Sequence, residues 1–261
     1  MSAGHAIRPV TAVQDLIIPD VVLVTNGGPM SRPLNIIYST NPELAFDASG
    51  AKYCIKGSDD AGIVLAELLG HILAGFLHIP VPDFAVGHFS DIGSPVFASA
   101  FVENAARDVE PWLKRGKVSK CDTLARLIAL DVWIANNDRN IGNLLGRPVA
   151  ATDNGSIELI AIDFEKAATV RKAAPTIEIT TMPPKSFWPR GTLGTLCKNQ
   201  AKIADAGIPD FRKITDGQID SAVSACFAAV RLENAAWGDT IASVLKKRRD
   251  KIELIVKAEW N

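Results

Sequence analysis

The chain has 261 residues, 48% of them hydrophobic and 22% charged, a composition that excludes an intrinsically disordered protein. With 28 basic and 29 acidic residues its formal net charge is -1, so no overall field attracts it to nucleic acid or to an anionic membrane. Its four cysteines include no C-x-x-C pair, which argues against a structural zinc site and a disulfide framework. The sequence shows neither a secretory signal nor an apolar run long enough to span a membrane, so we expect a cytoplasmic protein.

The first hundred residues predict a sheet and one long helix. Residues 58–60 are good helix N-cap residues, and apolar positions at helical spacing follow them as far as the breaker at 79–82. A glycine- and proline-rich stretch separates the first two strands, and the turn signal DASG precedes the third. Alternating and β-branched runs predict five strands, at residues 20–25, 34–39, 51–56, 84–89 and 95–101.

The remainder of the chain is mainly helical in pattern. The predicted elements are a short helix near 109–115, an amphipathic helix at 119–136, a strand pair at 144–145 and 157–162, and later helices of which 221–232 and 241–260 are the clearest. The sequence therefore predicts an α+β, bilobal fold. Its N-lobe, residues 1–103, would contain an antiparallel sheet and one long helix, and its C-lobe, residues 104–261, would be mainly helical.

The stretch between the first two predicted strands is suited to binding phosphate. Asn26, Gly27 and Gly28 open it, and Ser31 lies near its centre. Glycine has no side chain to obstruct backbone amides and reaches positive φ at little cost, so such a loop can approach phosphate closely. An ordinary hairpin turn would show the same residues, and the loop alone does not decide between the two.

Lys56 and Glu67 are predicted to form an ion pair across a strand and the helix that follows it. Lys56 ends an apolar strand, where an unpaired ammonium would be poorly hydrated, and Glu67 lies eleven residues later among leucines. A carboxylate at the rim of the helix stripe is the alternative for Glu67. The spacing favours the pair, in which Lys56 would hold the α- and β-phosphates of a nucleotide.

Two acidic motifs in the second half carry the strongest chemical signal. Residues 136–144 read NNDRNIGNL, and an apolar strand later leads into Asp163 and Phe164. Asp138 and Asn143 match the spacing of the catalytic aspartate and the metal-binding asparagine of protein kinases, and Asp163 matches their second magnesium ligand. Separately, each also fits a polar turn or a capping residue. Their order, after a lysine strand and a glutamate helix, is the order that protein kinases use.

Three stretches resemble the HipA-like kinases: YCIK at 53–56 with Glu67 after it, IPVP at 79–82, and DVWIANNDRN at 131–140. The resemblance spans roughly residues 20–170 and is most specific at the last motif. It implies a bilobal fold related to protein kinases and to phosphatidylinositol kinases, with ATP and Mg²⁺ bound between the lobes. It also implies phosphorylation of protein serine or threonine, and in some members the role of toxin in a toxin–antitoxin pair.

Two residues depart from the patterns of these relatives. Asn140 stands where they often have histidine, and Glu165 follows Phe164 where protein kinases have the glycine of the metal loop. Either departure is expected to tune or to impair catalysis. Because members of the family modify a serine in the phosphate loop, the resemblance also implies that Ser31 is an autophosphorylation site, where added charge would repel ATP.

The segment after the fifth strand is predicted to face the adenine of the nucleotide. Phe101, Val102 and Glu103 would form this hinge and supply backbone hydrogen bonds, although a plain linker fits the same residues. Asp131 lies on the apolar face of its helix. Since a buried carboxylate needs partners, we expect it to hydrogen-bond the backbone of the catalytic loop.

Other polar residues are assigned structural roles. His71 and His78 lie seven residues apart on one predicted helix, and they are predicted to be core or rim histidines rather than metal ligands. The basic run at 246–251 is predicted to be a solvated helix face, with contact to nucleic acid or acidic lipid as the alternative.

The sequence leads to three functional hypotheses. The first is an ATP- and Mg²⁺-dependent serine/threonine kinase, which would act on a protein substrate and have an antitoxin or other regulatory partner. The second is a lipid or small-molecule kinase, because the Asp-Arg-x-x-x-Asn pattern equally resembles phosphatidylinositol kinases. The third is a nucleotide-binding pseudokinase whose metal loop is altered at Glu165.

Overall fold

The structure is a computed structural model, and it describes residues 16–29, 42–89, 93–119, 122–136, 138–149, 155–171, 208 and 210–254. For residues 25–29 and 171 it describes the backbone alone. The strand predicted at 34–39 and Ser31 of the predicted phosphate loop lie outside the described residues. Among the helices that it describes, none is both long and apolar enough to cross a membrane.

Five strands in the N-terminal part close into a small barrel. They are β1 (Asp20–Pro29), β2 (Glu43–Asp47), β3 (Lys52–Lys56), β4 (Phe84–Phe89) and β5 (Val96–Ala100), hydrogen-bonded in the order β1-β2-β3-β5-β4. Four pairs are antiparallel, whereas β1 runs parallel to β4 and closes the barrel. The prediction of an antiparallel sheet is wrong at this one pair. Residue patterns show which face of a strand is apolar, but they do not show which distant strand lies beside it.

Two barrel strands depart from the prediction: β1 is longer than predicted, and β2 is not predicted at all. β1 continues through Asn26, Gly27 and Gly28, which the sequence predicts to leave the sheet. The register between β1 and β2 shifts between Asn26 and Pro29, as in a β-bulge. This shift lets the glycine-containing residues stay within the strand. β2 is absent from the sequence-based elements, because five residues with little alternation become a strand only through pairing with neighbours on both sides.

The barrel is narrow enough to be filled by a few side chains. Six buried residues occupy it, namely Leu23, Ala45, Ile55, Phe89, Val96 and Ala98. Small and large side chains together fill a small barrel. Gly87 belongs to the same fit, since a Cβ there would lie 2.7 Å from the side chain of Leu23.

The long helix predicted after the third strand is α1 (Ala61–Phe76). Asp60 caps it, because its Oδ1 accepts hydrogen bonds from the backbone amides of Gly62 and Ile63 at 2.9 and 3.3 Å. Every residue from 64 to 74 is buried. A helix with no solvent-exposed face needs packing partners on every side. The barrel covers α1 on one side and the helices of the C-terminal part cover it on the other.

The C-terminal part is mainly helical, as predicted, and contains a second small sheet. Strand β8 (Ile157–Ala161) is its centre, parallel to β6 (Val118–Ser119) and antiparallel to β7 (Leu144–Pro148). A short 3-10 helix, Ile141–Asn143, precedes β7. The α-helices of this part, within the described residues, are α2 (Glu110–Lys114), α3 (Asp122–Ile134), α4 (Ala168–Arg171), α5 (Asp216–Val230) and α6 (Ala235–Asp250).

The last two helices begin earlier than the sequence predicts. Thr215 and Gln218 form a reciprocal cap before α5, with amide-to-side-chain distances of 3.2 and 2.8 Å. Asn234 caps α6 by accepting a hydrogen bond from the amide of Trp237 at 3.1 Å. A prediction from apolar periodicity places the start of a helix at its first apolar residue, so it misses a first turn that is polar. α6 ends at Asp250 and residues 252–254 are again helical, while the rest of the range predicted up to 260 lies outside the described residues.

One large core joins α1 to the C-terminal part. Residues of α1, α3, α5, α6 and the second sheet share it, and Trp133, Phe164 and Phe211 are among its largest fully buried side chains. The division into lobes at 1–103 and 104–261 stays a prediction, because α1 precedes the boundary and packs on both sides of it.

Gly70 lets α1 approach Phe164 closely, so a side chain at this position is expected to be costly. An added Cβ would lie 2.4 Å from Phe164. Gly70→Ala should therefore lower the free energy of unfolding by ~1–3 kcal/mol through overpacking. Gly75 of the same helix faces open space, and Gly75→Ala should raise that free energy by ~0.5–1 kcal/mol, because alanine favours a helix. Urea denaturation of both variants measures the changes, and equal effects would contradict the close contact.

Candidate active site

A cleft separates the barrel from the second sheet, and six of the twelve predicted site residues line it; Asp138 is not among its lining residues. The barrel and α1 line one side with Cys54, Lys56, Glu67, His71, Phe97 and Ser99. The second sheet and its loops line the other side with Gly142, Asn143, Leu145, Ile162 and Asp163. The segment after β5 lines one end with Phe101, Val102, Ala105 and Arg107.

The structure places Lys56 beside Glu67, as the sequence predicts. Nζ of Lys56 lies 2.7 Å from Oε1 of Glu67, whose side chain is completely buried. The other oxygen, Oε2, accepts a hydrogen bond from the backbone amide of Phe164 at 3.0 Å. Both oxygens thus have a partner, as a buried carboxylate requires. A single side chain of α1 therefore joins β3 to the segment that follows β8.

Two further carboxylates surround Lys56. Its Nζ lies 3.0 Å from Oδ1 of Asp163 and 3.5 Å from Oε2 of Glu165. Burial opposes the charge on Lys56, but the three carboxylates outweigh it and hold the pKa of the ammonium well above its ordinary value. Burial raises the pKa of Asp163, Lys56 opposes this rise, and Glu67 and Glu165 add to it. The cluster has more acidic than basic groups, and an additional cation would balance them.

The same carboxylates have a spacing compatible with a divalent metal, and the Lys56 ammonium lies among them. Glu67, Asp163 and Glu165 each offer an oxygen within 4.8 Å of the others. Mg²⁺ prefers hard oxygen ligands of this kind, usually one or two carboxylates with further ligands from substrate and water. Both predicted metal ligands, Asn143 and Asp163, line the cleft. Glu165 offers a third oxygen donor that the sequence analysis treats only as a departure from the kinase pattern.

Asp163 has a backbone conformation that is uncommon for a residue with a side chain. Its φ is 68°, in the left-handed region. Such a conformation costs ~1–3 kcal/mol and persists where the surroundings hold the backbone on both sides. The carbonyl of Ile162 accepts a hydrogen bond from Arg139, and the amide of Phe164 donates to Glu67. These two bonds fix the direction in which the Asp163 carboxylate leaves the chain.

Arg139 organises the segment between α3 and β7. Its guanidinium is fully buried and binds Asp131 through two hydrogen bonds of 2.9 and 3.1 Å. It donates to the carbonyls of Asn143, at 3.1 Å, and of Ile162, and it lies 4.8 Å from the centre of the Phe164 ring. One side chain thus links α3, the predicted catalytic loop and the segment that leads to Asp163. A bidentate pair of this geometry is the form in which arginine and a carboxylate bind most strongly.

Asp131 is buried and side chains bind its carboxylate, whereas its predicted hydrogen bond to the backbone of the loop stays a prediction. Besides Arg139, Nδ2 of Asn136 donates to Oδ1 of Asp131 at 2.9 Å. The expectation of backbone partners overlooked the arginine that follows the loop aspartate. Arginine and lysine are seldom fully buried, so a sequence pattern alone assigns them to the surface.

Within the predicted catalytic loop, two asparagines hold the backbone of Asp138. Nδ2 of Asn143 donates to the Asp138 carbonyl at 2.9 Å, and Nδ2 of Asn140 donates to it at 3.1 Å. Asn140 also caps the 3-10 helix, accepting a hydrogen bond from the amide of Gly142 at 2.8 Å. With its amide nitrogen engaged, Asn143 has its oxygen as the atom able to bind a metal. Asn140 therefore has a structural role in this loop.

The predicted hinge is only partly at the cleft. Phe101 and Val102 line it, and the amide of Phe101 donates to the carbonyl of Lys52 at 2.9 Å, continuing the β3–β5 pairing. Glu103 is instead 59% exposed and forms an ion pair of 2.8 Å with the side chain of Lys52. The predicted phosphate-binding residues are described as backbone only or lie outside the described residues, so their role stays a prediction.

His71 is a core histidine, as predicted, and it forms part of the back wall of the cleft. Its Nδ1 lies 2.8 Å from the carbonyl of Glu67, an arrangement in which Nδ1 carries the hydrogen. The ring packs against Phe84, Phe97 and Phe164, with centroids 4.8 to 5.1 Å apart. Burial lowers the pKa of His71 to about 3, so the ring is neutral at physiological pH. His78 lies beyond the end of α1 and is exposed.

Several residues at the cleft carry no sequence signal. Ser99 and Arg107 line it, yet neither lies in a motif with a recognisable spacing. The barrel places Ser99 there, and the chain after β5 places Arg107. The basic run at 246–251 also differs from its prediction, because Arg248 is fully buried rather than solvated.

Comparison with known proteins identifies the fold but no family. The sequence matches no family model and no curated protein. Among solved structures, the chain is similar to the proinflammatory kinase CtkA of Helicobacter pylori, with 13% identity over 89% of this chain and 96% of that chain, and a TM-score of 0.55. It also matches a MAP kinase of Leishmania major, with 13% identity over 90% of this chain and 82% of the kinase, at a TM-score of 0.32. An apo pseudokinase matches with 11% identity over 83% of this chain and 91% of its own, at a TM-score of 0.27.

The likeness to CtkA and the order of elements define a kinase-like fold. The lysine strand, the glutamate helix, the loop after α3 and the hairpin leading to Asp163 occur in the order that protein kinases use. At 13% identity the likeness concerns the fold. A fold by itself does not settle an activity, so the functional argument depends on the residues of the cleft.

The buried neutral His71 should make stability depend on pH. In the unfolded chain a histidine takes up a proton below about pH 6.5. In the folded protein the pKa of His71 is about 3, so the ring stays neutral until the pH is much lower. The unfolded state therefore binds more protons, and stability falls as pH drops from 6.5 towards 3. Between pH 7.5 and pH 5.0 this histidine should account for a loss of about 2 kcal/mol.

His71→Phe keeps an aromatic ring among the three phenylalanines and removes the titrating group. The difference in free energy of unfolding between pH 7.5 and pH 5.0, measured by urea denaturation, should shrink by about 2 kcal/mol in this variant. An unchanged difference would mean that His71 is protonated in the folded state as readily as in the unfolded chain.

Proposed function

We propose that the chain is an ATP- and magnesium-dependent kinase of the HipA-like type, which transfers the γ-phosphate to a protein serine or threonine. The main support is the position of Lys56, which contacts Glu67 and Asp163 in a cleft that Asn143 also lines. A cation held by a buried carboxylate, beside oxygen ligands for a metal, is the arrangement that phosphoryl transfer needs. The kinase-like fold favours the same activity.

Five of the predicted site residues have a role in this proposal. Lys56 would bind the α- and β-phosphate oxygens while Glu67 keeps it in place. Asn143 and Asp163 would hold Mg²⁺, which when bound neutralises charge on the phosphates. Asp138 would accept the proton of the acceptor hydroxyl as the hydroxyl oxygen bonds to the γ-phosphorus. The bond from that phosphorus to the bridging oxygen breaks, and ADP leaves.

The acceptor and the partners in this proposal come from the HipA-like resemblance of the stretches 53–56, 79–82 and 131–140. It supports a protein substrate, autophosphorylation of Ser31, and an antitoxin or other regulatory partner in the cytoplasm. A lipid or small-molecule acceptor is the alternative within the same chemistry, and the choice of acceptor in the assay distinguishes the two.

Transfer of labelled γ-phosphate from ATP tests the activity. The wild type with Mg²⁺ should label itself or a generic protein acceptor, and Asp138→Ala and Asp163→Ala should each lose activity by about 100-fold or more. Asp239→Ala, at an exposed aspartate of α6, is the matched control and should keep full activity. Labelling of phosphatidylinositol but not of protein would favour the lipid kinase. ATP binding without transfer to any acceptor would contradict the proposal.

A pseudokinase is the second candidate, and Glu165 is the observation that favours it. Its side chain is completely buried and lies 3.5 Å from Lys56, at the position where protein kinases have glycine. Lys166 contacts the other side of the same carboxylate at 3.2 Å. A third carboxylate beside Lys56 competes with nucleotide phosphates for the ammonium and repels them.

Neutralising Glu165 should strengthen binding of nucleotide in the absence of metal. Removing one negative charge a few ångströms from the phosphate position should increase the affinity of Glu165→Gln for ATP in EDTA by about 3- to 10-fold. Titration with a fluorescent ATP analogue measures the change. Glu233→Gln, at an exposed glutamate before α6, is the control and should bind as the wild type does. Equal affinities for Glu165→Gln and the wild type would show that this carboxylate does not repel phosphate.

A further inference from the structure

The C-terminal helix α6 carries one basic residue that differs from its neighbours. Arg248 has no solvent exposure, whereas the adjacent Lys247 is exposed. Nε of Arg248 donates to the carbonyl of Trp133 at 2.8 Å, and Nη2 donates to the carbonyl of Val132. Burial lowers the pKa of this guanidinium to about 10, so it remains charged at neutral pH.

These two carbonyls belong to the last turn of α3. The last carbonyls of a helix have no partner within the helix, and the end of the helix carries a partial negative charge. Arg248 is a buried cation that donates to two of these carbonyls, of which that of Val132 also accepts a hydrogen bond from the amide of Ala135 at 3.2 Å. The other two carbonyls of the last turn are bonded as well, that of Asp131 by the amide of Asn136 at 2.8 Å and that of Ile134 by the hydroxyl of Thr169 at 2.8 Å.

Helices α3 and α6 each donate hydrogen bonds to the other. Nε1 of Trp133 donates to the carbonyl of Leu245 at 2.8 Å, one turn before Arg248. The Trp133 ring is fully buried and packs edge-on against Phe211, with centroids 5.1 Å apart. The end of α3 is therefore held by hydrogen bonds and by packing, and any shift of α6 would move it.

The end of α3 leads directly into the predicted catalytic loop. The amide of Asn136 donates to the carbonyl of Asp131 at 2.8 Å, and the side chain of Asp131 binds Arg139. Arg139 in turn binds the carbonyl of Asn143. A displacement of the last turn of α3 therefore passes through Asp131 to the loop that carries Asp138.

We propose that Arg248 is a positioning residue, which fixes the last turn of α3 and thereby the loop of residues 138–143. Helix α6, although remote from the cleft, then sets the geometry of the catalytic loop. The importance of this loop for activity rests on the proposed function, whereas the anchoring of α3 by Arg248 does not.

Hydrogen exchange of the full-length protein tests the anchoring independently of activity. Arg248→Met removes both donors and the charge, Arg248→Lys keeps the charge and a shorter donor, and Lys247→Met is the matched control on the exposed face. A peptide covering residues 138–143 should exchange about 10-fold faster in Arg248→Met, since loss of a buried charged hydrogen bond shifts a local opening by about that factor. Peptides from β3 and α1 should be unchanged, and Lys247→Met should match the wild type.

Activity provides the second readout, at a temperature where each variant is folded. The kcat for phosphate transfer should fall about 10-fold or more in Arg248→Met and less in Arg248→Lys, while the KM for ATP changes less than about 3-fold.

If Arg248→Met does not fold, the exchange of the same loop in Arg248→Lys decides the question. Unchanged loop exchange, or equal acceleration throughout the chain, would overturn the proposal. A wild type without transfer activity would contradict the proposed kinase, and the exchange result would still decide the role of Arg248.

Discussion

The buried carboxylate of Glu67 is the group on which the geometry of the cleft depends. A charge without solvent exposure is tolerated only when its oxygens are bonded. Lys56 bonds one oxygen, and the amide of Phe164 bonds the other. Since these partners lie on the barrel and beyond β8, the charge holds both sides of the cleft at a fixed distance from α1. His71, one turn further along α1, packs on the Phe164 ring, so apolar contacts support the same arrangement.

A second buried ion pair, between Asp131 and Arg139, organises the other side of the cleft. Replacing such a pair by apolar residues can be neutral for stability, so its value here is geometric. Its arginine binds the carbonyl of Asn143, one predicted metal ligand, and that of Ile162, the residue before the other, Asp163. Preorganised polar groups of this kind need no rearrangement when charge develops during a reaction. The surplus carboxylate at Glu165 is the feature that separates this cluster from an ordinary kinase site.

Sequence reasoning predicted groups whose signal is local. Lys56 and Glu67 follow from an apolar strand, a cap and a helix, and Asp138, Asn143 and Asp163 follow from spacing within short motifs. It did not identify the strand β2, the parallel pairing that closes the barrel, or the burial of Arg248. Each of these depends on a segment distant in sequence. Arg248 lies in a run of basic residues that looks solvated, because nothing nearby shows that two helix-end carbonyls will meet it.

The sequence by itself determined four of the five barrel strands, the long buried helix and the side chains of Lys56, Glu67, Asn143 and Asp163 that meet in the cleft. These follow from periodicity, capping and motif spacing, which act over a few residues. Beyond the Lys56–Glu67 pair, only the tertiary structure decided the partners of the buried charges, including the third carboxylate at Lys56 and the arginine that binds the end of α3. The physical reason is that a buried charge is stabilised by whichever groups the packed chain brings within hydrogen-bonding distance, and packing is decided by the whole core.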